Sequence, residues 1–151
     1  MFFFASYYNI VSIQDYSSSS HYTTLITLTV PPGSYLVSAK ATVSADTGVG
    51  TIDCQLATSN NDVPDRSGAL LDANPAYPGR GQGDQTTIPM LGTVSFTQSG
   101  TIWFQCASNN LYLNSGTVGQ PNTPGAKAYN MQLAAIQTGQ INPLPSPAAG
   151  I

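Results

Sequence analysis

The chain has 151 residues, a length typical of one domain with a single core. Charged residues make up 7% of it, against roughly 25% in ordinary globular domains, and the formal net charge is -3 without any run of one sign. Four dispersed cations cannot form the basic patch that binds nucleic acid, and no apolar run approaches the roughly 20 residues of a membrane span. We therefore expect neither nucleic acid nor a membrane as a partner.

The composition favours β-structure. The chain contains no Glu and only four Lys and Arg residues, so the strong helix formers are scarce. Its 14 Gly and 11 Pro residues break helix interiors but suit the many turns of antiparallel sheets. The expected fold class is all-β.

The N-terminal segment, residues 2–13, is aromatic and β-branched, which predicts a strand, and a Ser-rich loop follows it over residues 14–21. Five aromatic residues within seven positions are too many for one face of a half-buried strand. We expect them to make assembly contacts with another chain; the alternative is that they pack on both sides within one sandwich. They are Phe2, Phe3, Phe4, Tyr7 and Tyr8.

Two alternating segments follow, residues 24–30 and 35–43, separated by the turn Pro31-Pro32-Gly33. In the first, Ile26, Leu28 and Val30 share one face, and Leu25 lies on the other with two threonines. We interpret the two segments as adjacent strands of a β-meander.

Each of the two cysteines lies in a segment where every second residue is apolar, and each is one of these apolar positions. Both are therefore expected to point into the core. Cys54 shares a face with Ile52 and Leu56, and Cys106 shares one with Ile102 and Phe104. The leading interpretation is a structural disulfide between them, and the alternative is two buried free thiols. A disulfide suits a protein of the virion surface or the extracellular space.

The remainder alternates between irregular stretches and strands. Residues 59–85 and 109–126 are rich in turn formers and predict long loops, whereas residues 86–90, 93–97 and 101–107 predict strands. The last strand is expected over residues 127–138, with Tyr129, Met131, Leu133 and Ala135 facing the core. In the tail, Pro143, Pro145 and Pro147 prevent sheet pairing and favour an extended chain.

About eight strands without a helix predict an antiparallel β-sandwich of the jelly-roll type. We expect an N-terminal strand and Ser-rich loop over residues 1–23, a jelly-roll domain over 24–140 and a Pro-rich tail over 141–151.

The order of these segments resembles that of a known group of modules. The resemblance lies in Leu-Thr-Val-Pro-Pro-Gly-Ser-Tyr-Leu-Val at 28–37, Cys-Gln-Leu at 54–56, Gly-Thr-Val-Ser-Phe at 92–96, Thr-Ile-Trp-Phe-Gln-Cys at 101–106 and Asn-Met-Gln-Leu-Ala-Ala-Ile at 130–136. Together they resemble C1q- and TNF-like jelly-roll surface modules of actinobacteria and their phages. The resemblance implies trimeric heads or virion surface proteins, and it transfers no catalytic residue to this chain.

The chemistry-bearing residues do not form a recognisable catalytic or metal site. His21 is the only histidine, and no Gly-x-Ser-x-Gly motif is present, so we expect no enzyme activity. The acidic stretch 60–65, with Asp72 and Asp84, has oxygen ligands that suit Ca²⁺ but matches no calcium loop. No metal or cofactor is expected. Trp103 with the tyrosines could form a sugar-stacking platform, although aromatics on a sheet more often lie in a core or an interface.

The sequence thus predicts a non-enzymatic structural or surface protein of a virion, of the capsid-decoration or tail-surface type. It should act as a homo-oligomer, with a trimer favoured, and contact other virion or surface proteins. The alternative is a receptor- or carbohydrate-binding adhesion head of a secreted or phage tail protein, with the glycan bound by the two long loops.

Overall fold

A computed structural model of the chain describes residues 1–13, 22–45, 49–59, 70–76, 84–110 and 125–139. Nine strands form this part of the chain, and it contains no helix long and apolar enough to cross a membrane. The strands are β1 (Phe2–Tyr7), β2 (Val11–Ile13), β3 (Thr23–Val30), β4 (Gly33–Ala45), β5 (Val49–Ala57), β6 (Leu70–Ala76), β7 (Asp84–Phe96), β8 (Gly100–Asn110) and β9 (Ala126–Gly139).

The strands form two antiparallel sheets that pack as a sandwich. The first sheet has the order β1-β9-β4-β7, with β2 also paired to β9, and the second has the order β3-β8-β5-β6. The predicted all-β, jelly-roll-like sandwich is therefore confirmed. The nine strands differ from the expected eight in three places: residues 8–10 divide the N-terminal segment into β1 and β2, β6 is an additional strand, and β7 joins two expected strands.

The predicted meander of β3 and β4 is wrong. β3 pairs with β8 in the second sheet, whereas β4 pairs with β7 and β9 in the first. Pro31 and Pro32 stand between them and carry no backbone N–H to continue a ladder. The connection therefore carries the chain across the core from one sheet to the other.

Two strands differ from what the turn-forming residues predict: β7 is longer, and β6 is an additional strand. β7 runs unbroken through Pro89 and Gly92, which we expected to separate two strands, and β6 lies within the expected loop 59–85 despite Pro75. Both are the last strand in the order of their sheet. Proline is tolerated there because such a strand needs ladder bonds to a neighbour on only one side.

The core lies between the sheets and is filled by inward side chains of both. Its largest fully buried members include Tyr35, Phe104, Ile52, Leu56 and Ile102. Met131, Leu133 and Ala135 face it as predicted.

Two irregularities change the predicted faces. A register shift between Thr24 and Ile26 buries Leu25 in the core as well. On β9, Asn130 has a φ of 52°, and a second shift lies beside it, so Tyr129 falls on the outer face and Ala128 points inward instead. An extra residue in one strand reverses the alternation beyond it.

The expected loop 14–21 and the Pro-rich tail lie outside the described residues. The proposed division at residues 23 and 140 stays a prediction, with the qualification that β1 and β2 pair with β9 and so belong to the same sheet as the central segment.

Candidate assembly surface

The two cysteines form a disulfide. Cys54 on β5 and Cys106 on β8 stand directly opposite each other, with their Cα atoms 4.1 Å apart, and both side chains are buried in the core cluster. The prediction that they lie within bonding reach is confirmed. The bond joins the two central strands of the second sheet.

The N-terminal aromatics divide between the two faces of the first sheet. The ring of Phe3 packs edge-on against buried Tyr35, with the ring centroids 5.9 Å apart. Phe2 and Phe4 stack on the opposite, outer face, where they are 61% and 49% exposed. Tyr7 and Tyr8 are exposed at the end of β1.

The outer face of the first sheet carries large apolar side chains on all four of its main strands. Cross-strand pairing places Phe2 beside Ile136 and Ile136 beside Leu36. One row along, Phe4, Ala134, Ser38 and Leu91 are aligned from β1 to β7. We call the exposed members the apolar outer face: Phe2, Phe4, Leu36, Leu91 and Ile136.

A groove of about 470 Å³ crosses this face. Its floor consists of the small residues Ala134 and Ser38, because their side chains leave space between the larger ones on the flanking strands. Phe4 on β1 forms one side, and Pro89 and Leu91 on β7 form the other. The groove is therefore mainly apolar and open to solvent.

The groove has a polar end. Lys40 on β4 and Gln132 on β9 are paired neighbours and line it. Among the described residues that line the groove, Lys40 is the one that carries a charge. The site can thus hold an uncharged apolar chain and donate hydrogen bonds to it at one end.

The outer face of the second sheet differs because its middle is buried, although Thr27 and Thr29 on β3 are exposed. Gln105 is fully buried although it points away from the core, and its amide accepts a 3.1 Å hydrogen bond from Gln55 Nε2 and donates a 3.1 Å bond to Thr24 Oγ1. Ala57 and Ala107 on the same face are buried too. Among the described residues, the outer face of the first sheet is the one that carries several large exposed apolar side chains.

Asp53 also lies on the outer face of the second sheet, paired across to Ala107. Burial raises the pKa of its carboxyl above the ordinary value, since a buried environment disfavours the charged form. The described residues contain no group of three His, Cys, Asp or Glu side chains that could hold a metal ion. Both His21 and the acidic stretch 60–65 lie outside the described residues.

Three residues of the apolar outer face were not identified from the sequence. Leu36, Leu91 and Ile136 each follow or precede a buried apolar residue. Two consecutive apolar residues in a strand of period two place one on each face. Such a pair of consecutive apolar residues is the sequence pattern from which Leu36, Leu91 and Ile136 could have been identified as surface residues.

Neither a protein-family model nor a curated protein matches the chain, but solved structures do. The infectious bursal disease virus VP2 subviral particle matches with a TM-score of 0.54 at 16% identity, over 91% of this chain and 32% of that one. Infectious bursal disease virus Gx strain gives 0.58 at 13% identity, over 92% and 32%. Eiger TNF from S. frugiperda gives 0.51 at 12% identity, over 100% of this chain and 98% of that one.

This chain spans about a third of the viral proteins that it matches. At such identities the similarity concerns the fold alone. It supports the TNF-like part of the resemblance noted in the sequence, whereas none of these three structures is described as actinobacterial or from a phage. The chain is an all-β jelly-roll sandwich that shares its fold with structures of a viral particle protein and of a TNF protein.

Proposed function

We propose that this chain is a non-enzymatic structural subunit of a virion surface, of the capsid-decoration or tail-surface kind, which acts by binding copies of itself. Three copies are the favoured number. The observation that carries the proposal is the apolar outer face, which is exposed in the single chain on all four main strands of one sheet.

The size of this face supports a role in association. Five large side chains, each about half exposed, present on the order of 400 Å² of apolar surface. An exposed apolar patch of that area on a monomer is often a functional site. Burying it contributes on the order of 10 kcal/mol before the entropic costs of association.

The rest of the molecule is consistent with a particle protein. The buried disulfide suits an oxidising location, which favours the virion surface or the extracellular space. The structures that share the fold include the infectious bursal disease virus VP2 subviral particle. The low charge of the chain agrees with contacts through neutral surface.

The glycan-binding alternative has less support. Trp103 lies on the outer face of the second sheet, but it is half-buried, so only part of its ring is available for stacking on a sugar. Most of the two long stretches that were expected to shape a sugar site lies outside the described residues.

The proposal is tested by measuring molar mass with light scattering over about a hundredfold dilution. The wild-type chain should assemble. Leu91→Lys combined with Ile136→Lys should give a single-chain mass, because two charges would be buried at the contact. Both residues are exposed in the single chain, so the thermal midpoint of the monomer should change little.

Thr27→Lys combined with Thr29→Lys is the matched control, since it adds the same two charges at exposed strand positions of the other sheet. It should assemble as the wild type does. A wild-type chain that stays monomeric over the whole dilution series contradicts the proposed function.

A further inference from the structure

We propose that the groove binds the Pro-rich C-terminal segment, residues 140–151, of a second copy of this chain. The proposal rests on the proposed self-assembly and identifies the partner segment. Three observations support the proposal: the geometry of the groove, the composition of the segment and the direction of β9, which leads into the segment.

The composition of the segment fits the groove. Residues 140–151 contain no charged side chain, and three prolines alternate with Leu144 and Ser146. Pro-rich chains are recognised by apolar grooves with an aromatic wall, since they are already extended and lose little entropy on binding. Phe4, Leu91 and Pro89 provide such walls, and the floor of Ala134 and Ser38 leaves room for proline rings.

The polar end of the groove fits the backbone of the same segment. A proline residue has no N–H, so a Pro-rich chain presents carbonyl oxygens that need donors. Lys40 and Gln132 supply N–H donors at one end of the groove. An uncharged segment that accepts hydrogen bonds is therefore matched in both its side chains and its backbone.

The direction of β9 favours a neighbour's groove over the chain's own. β9 passes the groove at Gln132 and Ala134, then continues away from it to Gly139, which pairs with Ser34. A chain that returned to its own groove would have to reverse within residues 140–142, before the stiff prolines begin. Followed straight on, twelve residues of extended chain reach ~37 Å, which exceeds the width of a four-stranded sheet.

Such a contact joins two different surfaces, the segment of one copy and the groove of the next. Contacts of this kind close into rings or continue as filaments, according to the rotation between copies. The favoured trimer corresponds to the closed case.

The test uses full-length variants and light scattering. The groove variant is Leu91→Asp, which keeps its segment. The segment variant replaces Pro143, Pro145 and Pro147 by Gly and keeps its groove. Each variant alone should lose the assembly of the wild type, and an equimolar mixture should give a two-chain complex, because one intact segment then meets one intact groove.

The control carries Ala148→Gly and Ala149→Gly in the same segment, and it should assemble as the wild type does. A synthetic peptide of residues 140–151 should dissociate the wild-type assembly by competition.

If the segment variant assembles normally, the inference is wrong, while self-assembly through the apolar outer face stands. If both variants are monomeric and the mixture forms no complex, docking of the segment of one copy in the groove of another is excluded, and the inference is again wrong. A monomeric wild type contradicts the proposed function itself, so the two failures are distinguishable.

Discussion

Tyr35 joins the turn at Pro31 to the core of the sandwich. Its ring is fully buried between Phe3 and Phe96, and its hydroxyl donates a 2.8 Å hydrogen bond to the carbonyl of Pro31. A side chain is disfavoured at Gly33, between them, because L residues rarely adopt its φ of +155° and a Cβ there would stand 3.2 Å from the hydroxyl oxygen of Tyr35. The Pro-Pro-Gly-Ser-Tyr motif therefore fixes the crossing from the second sheet to the first.

We expect Tyr35→Phe to lower the free energy of unfolding by about 1 kcal/mol, since the ring stays packed and only the hydrogen bond to Pro31 is lost. For a chain of this size the thermal midpoint should fall by roughly 2–4 °C. Calorimetry on the two proteins measures the difference. An unchanged midpoint would show that water replaces the hydroxyl at no cost.

The raised pKa of Asp53 makes stability depend on pH. Because the folded pKa lies above the unfolded one, the folded state holds more protons between the two values, and stability falls as the pH rises through that interval. Asp53→Asn should therefore raise the urea midpoint at neutral pH, and this advantage should vanish below the ordinary carboxyl pKa. A difference that is the same at every pH would assign the effect to packing instead.

At the scale of elements, the disulfide stabilises the pairing of the two central strands, β5 and β8. It closes a sequence separation of 52 residues, and both sulfur-bearing side chains are buried among core residues. The bond is expected to stabilise the fold mainly because it closes a loop of that size in the unfolded chain and so lowers the entropy of the unfolded state.

Replacing both Cys54 and Cys106 by Ala should lower the free energy of unfolding by roughly 4 kcal/mol on the chain-entropy model. Either single replacement removes the same bond and should lose nearly as much. Urea unfolding curves of the three variants measure this. A loss below about 1 kcal/mol in the double variant would mean that the closed loop contributes little.

The periodicity of single strands was predictable from the sequence, but their pairing was less so. The inward direction of Cys54 and Cys106 follows from alternation with Ile52 and Ile102, and the structure agrees. The partners of β3 and β4 depend on where the turn at Pro31 sends the chain, which is a property of the whole fold.

The candidate surface shows the same limit. Phe2 and Phe4 were recognised because aromatics are conspicuous, whereas Leu91 becomes part of the face only through its alignment with Ser38 and Ala134 on neighbouring strands. The shift of Tyr129 to the outer face depends on one residue of left-handed backbone at Asn130. Nothing in the alternation of β9 marks that position.

At the scale of the whole molecule, the two outer faces differ in exposure. The middle of one contains two buried glutamines, and the other is apolar and exposed, with Lys40 as the charged residue among the described ones that line its groove. Association through such a face is driven by burial of apolar area and owes little to ionic contacts.

Raising the sodium chloride concentration should therefore leave the assembly intact, and sulfate should strengthen it, since excluded salts favour apolar burial. Sedimentation velocity at low and high salt tests this. Dissociation on adding salt would show that ion pairs hold the copies together.

The antiparallel pairing of β1 with β9 brings the beginning of the first strand to the end of the last one. The carbonyl of Met1 accepts a 2.9 Å hydrogen bond from the backbone N–H of Gln137. The start of β1 and the end of β9 are therefore neighbours in space. A short linker from Gly139 to Met1 should thus permit circular permutation, and the whole sandwich could be inserted into a surface loop of a host protein without separating the ends of that loop.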